Sequence, residues 1–144
     1  MTTLVVDAGV AAKWFLPSKN EPHADTAARL LKRYVNGDIR FIVPDLFWAE
    51  LGNIFWKAVR QGRWQRSRAE EAIRLVQTRS LPSIPAKALL QEAFQISTSF
   101  DRSVYDCLYV ALAIASKSTL ITADERLANA LAAYLPVKWL GTVA

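Results

Sequence analysis

The stretch Thr3-Leu4-Val5-Val6-Asp7 opens the chain with a short apolar run that stops at a carboxylate. Such a run, bounded by a polar residue, predicts a buried β-strand. The following residues, 8–16, predict a short helix that ends at Pro17. A strand followed by a helix is the unit from which parallel sheets are built. We therefore expect Asp7 at the carboxyl end of a sheet strand, where such folds bind their ligands.

The rest of the chain repeats this alternation. Further strands are predicted at 39–43, 81–84, 119–122 and 137–140. Helices are predicted at 21–36, 45–61, 67–79, 86–97, 103–116 and 124–135, with Ser67-x-x-Glu70 as a capping box. The expected fold class is α/β: a three-layer α/β/α sandwich with a central parallel sheet of about four or five strands. We expect residues 1–144 to form a single domain.

Composition excludes several classes of protein. With 52% apolar residues the chain is not intrinsically disordered. One cysteine and one histidine exclude an intrachain disulfide and a Cys/His zinc site. The longest apolar run, 107–115, has nine residues, whereas a membrane span needs about 20. Because the first residues include no basic segment, we expect no signal peptide, no membrane association and a cytoplasmic location.

A net charge of +5 favours polyanionic partners, nucleic acid above all. Basic residues concentrate around Trp64, where one predicted helix ends and the next begins; they are Arg60, Arg63, Arg66 and Arg68. This cluster has two interpretations: a contact for an RNA backbone with Trp64 stacked on a base, or a solvated turn between helices.

Four acidic residues stand apart from the others. Asp7 and Asp124 follow predicted strands, so both are expected at the same edge of the sheet. Asp106 lies in the first turn of a helix that is apolar nearly all round. Glu50 lies beside large apolar residues on its own helix, where an unpaired carboxylate is costly.

Three of these acids also have a structural interpretation. Asp7 and Asp124 are suited to cap the helices that follow them. Asp106 lies three residues after Ser103, which is the spacing of a capping box. Each feature alone is common in helical proteins. Together they place two acids at strand ends, where α/β folds carry their sites.

The charge of Glu50, and of the four acids together, needs a partner. Glu50 alone could form an ion pair with Lys57 or Lys13. If the four carboxylates converge, they repel one another unless a cation neutralises them. Oxygen ligands without His or Cys favour a hard ion, Mg²⁺ or Mn²⁺. Such a site suits phosphodiester hydrolysis by metal-activated water, and a basic surface suits a nuclease.

Four segments also resemble a known family. They are Val5–Pro17, Pro44–Asn53, Ser103–Ala113 and Leu120–Ala128. In order and spacing they are similar to the four acidic motifs of PIN-domain ribonucleases of the VapC toxin type. The similarity covers nearly the whole chain.

The resemblance implies a PIN fold with Asp7, Glu50, Asp106 and Asp124 as its acidic, catalytic quartet. It implies Asp7 and Asp106 as direct ligands of Mg²⁺, or of Mn²⁺, with the other two acids acting through water. It further implies an endoribonuclease that cleaves single-stranded regions of RNA, a cognate antitoxin and a homodimer.

Residues around the quartet are candidates for supporting roles. Lys13 and Arg126 are candidates for holding the scissile phosphate or balancing the carboxylates. Ser103 and Thr122 are candidates for supporting hydrogen bonds. The family more often has Ser where this chain has Gly9, and Thr122 is expected to supply the missing hydroxyl.

Two other functions remain open at this point. One is a non-catalytic PIN-like module that binds RNA or protein, with a purely structural acidic cluster. The other is a phosphoacceptor or phosphatase domain, which the lack of a second Asp two residues after Asp7 disfavours.

The helix predicted at 45–61 carries a broad apolar stripe. Its members are Trp48, Leu51, Phe55 and Val59. Trp56 falls outside the stripe, about 80° from Trp48. We expect this helix to pack on a second subunit or an antitoxin segment as well as on its own core. The alternative is a wide core face within the chain itself, with Trp56 partly covered.

Overall fold

A parallel sheet forms the middle of the structure, a computed structural model that describes residues 1–144. Its strands are β1 (Thr2–Val6), β2 (Ile39–Pro44), β3 (Ser83–Ile84), β4 (Thr119–Thr122) and β5 (Val137–Trp139). The strand order is β3-β2-β1-β4-β5, and every neighbouring pair is parallel. The predicted parallel α/β fold with five strands is confirmed.

Seven α-helices connect the strands. They are α1 (Ala8–Ala12), α2 (Ala24–Val35), α3 (Leu46–Arg60), α4 (Arg66–Gln77), α5 (Ala86–Phe100), α6 (Val104–Ala115) and α7 (Glu125–Leu131). Single 3₁₀ turns lie at Ser18–Asn20 and Leu140–Thr142.

The chain winds outward from the centre of the sheet in two directions. From β1 it steps to β2 and β3, and from β4 it steps the opposite way to β5. Since crossovers are right-handed, the two directions place α1–α4 and α5–α7 on opposite faces. In agreement, α1 packs against α3, and α5 packs against α6. The winding reverses between β1 and β4, which is where such sheets open a binding crevice.

The centre of the sheet and the helix behind it form the core. Val5 and Val6 of β1 are fully buried, as expected for a central parallel strand. In α6, seven consecutive residues from Cys107 to Ala113 are buried, which confirms the prediction of an enclosed helix. None of the helices combines the length and the apolar character that crossing a bilayer requires.

Helix starts and ends differ most from the sequence-based expectation. α1 ends at Ala12 rather than Leu16, because the N–H groups of residues 13–15 bond three residues back and tighten the chain into turns. α2 begins at Ala24, since His23 before it adopts a left-handed conformation with φ of 60°.

The predicted capping box at the start of α4 is wrong. Gln65 precedes the helix and makes no side-chain capping bond. Glu70 instead pairs with Arg66 at 3.3 Å, one helical turn earlier on the exposed surface. The i,i+4 ion pair takes the Glu70 carboxylate that the capping box would need.

Three stacked aromatic rings pack α2 and the turn after α1 against β2. Phe41, 1% exposed, stacks on Trp14 and Tyr34, with ring centroids 5.3 and 5.1 Å away. We predict that Phe41→Ala lowers the free energy of unfolding by about 3–5 kcal/mol, because it leaves a cavity between the two rings. Urea unfolding measures the loss. Val35→Ala, at an exposed site on α2, should cost less than about 0.5 kcal/mol. A loss below about 1 kcal/mol for Phe41→Ala would contradict this packing account.

Candidate active site

A cleft of about 230 Å³ opens at the carboxyl end of β1. The carboxylates of Asp7, Glu50 and Asp106 all line it, together with Asn53 and Tyr109. Three of the four acids singled out in the sequence thus converge from β1, α3 and α6.

Asp7 is fixed at the end of β1 by neighbours on two sides. β1 and β4 pair in register there, which brings Asp7 beside Thr122. Thr122 Oγ1 donates to Asp7 Oδ2 at 2.5 Å, and the Ala123 backbone N–H donates to the same oxygen at 3.2 Å. Val10 N–H donates to Asp7 Oδ1 at 2.9 Å, so Asp7 also caps α1. The capping role and the place in the cleft coexist, and the expected hydroxyl of Thr122 is present.

The ionisation of Asp7 is strongly perturbed. Burial raises the pKa of Asp7 to about 6, although the hydrogen bonds from Thr122 and Val10 lower it. The charge of Glu50 adds to the rise. No lysine, arginine or histidine forms an ion pair with Asp7. The cleft therefore holds a partly buried carboxyl group with no basic side chain paired to its ionised form.

Glu50 is held by a tyrosine rather than by a lysine. Tyr109 Oη donates to Glu50 Oε1 at 2.5 Å. Neither of the ion pairs considered from the sequence forms, and Lys13 binds Glu21 instead, at 3.3 Å. Burial raises the pKa of Glu50, the Tyr109 hydrogen bond opposes this rise, and the charge of Asp106 adds to it.

Asp106 lies in the first turn of α6. Ser103 caps that helix, its Oγ accepting from the Asp106 N–H at 3.1 Å. Burial raises the pKa of the Asp106 carboxyl, and the charge of Asp124 adds to the rise. The Ser103 hydroxyl and the Arg102 guanidinium lower it. Ser103 therefore fixes the start of the helix that carries Asp106.

Asp124 lies at the rim and does not line the cleft. Its Oδ1 accepts from the N–H groups of Arg126 and Leu127 at 3.0 and 3.2 Å, so it caps α7. Its own N–H donates to Thr122 Oγ1 at 3.0 Å, and Thr122 in turn holds Asp7. The structure therefore shows Asp124 as the cap of α7, which is the structural interpretation given from the sequence. The Arg126 side chain is exposed and forms no ion pair.

Two cleft residues were not singled out from the sequence. Tyr109 lies three residues after Asp106, and Asn53 lies three residues after Glu50, so each shares a helix face with an acid. This three-residue spacing was the one feature of the sequence that could have identified them as cleft residues. It could not show that the Tyr109 hydroxyl reaches across to a second helix, which depends on how α3 and α6 pack.

The donor set fits a hard cation held by few protein ligands. No group of three acidic, His or Cys side chains is arranged closely enough to hold one ion. Mg²⁺ commonly takes one or two carboxylates and completes its shell with water and substrate phosphate. Two carboxylates from a cleft of this kind meet that requirement. Neither Asp7 nor Asp106 forms an ion pair with a basic side chain, and burial raises the pKa of both carboxyl groups.

The buried carboxyl of Asp7 predicts a pH-dependent effect on stability. Its folded-state pKa of about 6 lies above the ordinary 3.8, so the folded protein holds this proton more tightly than the unfolded chain. The resulting stabilisation is present below pH 4 and is lost as the pH rises through 6. The variant Asp7→Asn has no titrating carboxyl at this position, so it does not lose stability in this way as the pH rises. We predict that its free energy of unfolding, relative to wild type, increases from pH 5 to pH 8 by about 1.4 kcal/mol, the part of the change that falls in this pH range.

Chemical denaturation without divalent metal at both pH values measures this difference. Asp25→Asn, at an exposed position of α2, is the control, because water solvates that group in the folded and unfolded chains alike. A difference for Asp7→Asn that is independent of pH would show that Asp7 is already ionised at pH 5.

Comparison with known proteins places the chain among relatives of similar length. It is 28% identical over 128 residues to ribonuclease VapC3 of Pyrobaculum aerophilum, covering 88% of this chain and 92% of that protein. The crystal structure of PAE2754 from the same organism superposes with a TM-score of 0.70 at 21% identity, covering 98% of this chain and 85% of the other.

Two further solved structures share the fold. VapBC2 of Rickettsia felis, bound to a promoter DNA fragment, gives a TM-score of 0.67 at 15% identity and covers 96% and 98% of the two chains. VapC20 of Mycobacterium tuberculosis, a toxin that cleaves the sarcin-ricin loop, gives 0.64 at 14% identity and covers 92% and 95%. The family model of the PIN domain matches residues 4–131, so the chain belongs to the PIN domain family.

Proposed function

We propose that this protein is an endoribonuclease of the VapC toxin type, dependent on Mg²⁺ or Mn²⁺, which cleaves single-stranded regions of RNA. The observation that carries the proposal is the convergence of Asp7, Glu50 and Asp106 in one cleft with no basic side chain paired to them. Partly buried carboxylates that lie close together without a counter-ion repel one another, and a bound cation would relieve that repulsion. The similarity to ribonuclease VapC3 supports the same activity.

Each cleft residue has a role that follows from its contacts. Asp7 and Asp106 would hold the cation, and Thr122 fixes the orientation of Asp7. A divalent cation there supplies Lewis acidity, stabilising charge on the phosphodiester and making an attacking water more acidic. Glu50 would orient that water, and the Tyr109 hydroxyl keeps the Glu50 carboxylate in place. Asp124 at the rim would act through water.

We propose two protein partners, a cognate antitoxin and a second copy of the chain. The relation to a VapBC assembly in fold supports the first. Leu90 and Phe94, one turn apart on α5 and 51% and 58% exposed, favour an apolar interface for the second. Because the proposed substrate is RNA, we expect the protein to act in the cytoplasm.

Removing one carboxylate tests the activity. We predict that Asp106→Asn lowers metal-dependent cleavage of a mixed structured RNA pool more than about 100-fold, since loss of a ligand should exceed the effect of losing a supporting contact. EDTA should abolish cleavage by the wild type.

Asp101→Asn is the matched control, because it removes a carboxylate nearby in the chain but exposed, and Asn tolerates the left-handed backbone there. Retained cleavage by both Asp106→Asn and Asp7→Asn, in folded protein, would refute the proposal. It would favour a non-catalytic module with a structural acidic cluster.

The tyrosine provides a second test with a different readout. Tyr109→Phe removes the hydroxyl that lowers the pKa of Glu50. We predict an acid limb of the pH–rate profile that moves to higher pH, with a cleavage rate about tenfold lower at neutral pH. A lower rate with an unmoved profile would show that Tyr109 acts only through packing.

A further inference from the structure

The exposed face of α3 continues directly out of the cleft. Glu50 and Asn53 line the cleft near the start of the helix. Taking 100° per residue, Trp56, Lys57 and Arg60 all point within about 60° of Asn53. These three side chains are exposed, and Arg60 lies about 10 Å beyond Asn53 along the helix axis. We call Trp56, Lys57 and Arg60 the α3 outer face.

The α3 outer face combines positive charge with an open aromatic ring. Trp56 is 53% exposed, and the Arg60 guanidinium lies 4.9 Å from its ring centroid. The cation lies over one ring face, and about half of the Trp56 side chain remains open to solvent. Neither Lys57 nor Arg60 forms an ion pair with an acid. An aromatic platform beside unpaired cations is how proteins bind single-stranded nucleic acid.

Charge and composition argue against a protein on this face. Lysine is depleted at protein interfaces, and here Lys57 lies on the same helix face as Trp56 and Arg60. A second copy of the chain would bring a net charge of +5 against another +5. An exposed apolar pair better suited to a protein lies elsewhere, at Leu90 and Phe94 on α5.

We propose that the α3 outer face binds the single-stranded RNA that leaves the cleft, with a base stacked on Trp56 and the backbone phosphates held by Lys57 and Arg60. The inference rests on the proposed ribonuclease function for the direction of the strand, since the scissile phosphate would lie in the cleft. It makes α3 the element that both completes the acidic site and orients the substrate.

Binding is measured separately from cleavage. A fluorescent single-stranded RNA of about 12 nucleotides is titrated with full-length protein in EDTA, and anisotropy gives the affinity at several salt concentrations. Trp56→Ala should weaken binding about tenfold with an unchanged salt slope, because no charge is lost. Trp56→Phe should retain most of the wild-type affinity, because Phe keeps an aromatic ring at this position. The double variant Lys57→Gln/Arg60→Gln should make the slope shallower by about 1.4.

The controls make matched changes at residues outside the α3 outer face. Tyr134→Ala removes an exposed aromatic residue that precedes β5. Lys32→Gln/Arg33→Gln removes one lysine and one arginine from the last turn of α2, as the test variant does from α3. The control double variant should leave the salt slope within about 0.3 of wild type.

Three outcomes decide the matter. Selective loss of RNA affinity in the α3 variants supports the inference, even if the wild type proves unable to cleave RNA, in which case only the proposed catalytic function fails. Equal effects of the α3 and control variants overturn it. A change of oligomeric state in Trp56→Ala at unchanged RNA affinity also overturns it, and shows that the face binds protein.

Discussion

The carboxyl group of Asp7, buried at the point where the sheet reverses its winding, is the constraint on which the site depends. Burying an ionisable group in this way costs free energy that no basic side chain offsets. The fold supplies hydrogen-bond donors instead, from Thr122 and from backbone N–H groups. Gly9 eases this close approach, since a Cβ there would lie 3.0 Å from the Cβ of Ala123, which is tighter than an ordinary contact. The turn after β1 can therefore approach the end of β4 closely enough for both to hold one carboxylate.

The other acids reach Asp7 through packing rather than through the sheet. Glu50 arrives on α3 and Asp106 on α6, and the Tyr109–Glu50 hydrogen bond joins these two helices across the cleft. The charge of Glu50 raises the pKa of Asp7, and the charge of Asp106 raises the pKa of Glu50, as expected for like charges in one cleft. A site built this way favours positive charge, although no three of its side chains are close enough to form a cage around one ion. That property suits an ion that keeps part of its water shell and shares it with a phosphate.

Much of this could be predicted from the sequence, because it depends on local patterns. The apolar runs gave the order of strands and helices, and an acid placed directly after β1 had to lie at the edge of a parallel sheet. What the patterns could not supply was side-chain direction. Asp124 also follows a strand, yet its carboxylate turns to cap α7 at the rim. The Tyr109 hydroxyl and the Lys13–Glu21 pair depend on which helices meet, and that is set by the whole fold. The capping box predicted at the start of α4 was wrong, because Glu70 pairs with Arg66 and is not available to the cap.

The most direct test of the account is the position of a bound divalent ion. Anomalous scattering from crystals of the protein soaked in Mn²⁺ would show where the ion binds. We predict one strong peak in the cleft, in contact with the carboxylates of Asp7 and Asp106 and separated from Asp124 by water. No peak in the cleft at saturating Mn²⁺, or a peak bound only by residues outside it, would contradict the claim that these carboxylates form a metal site.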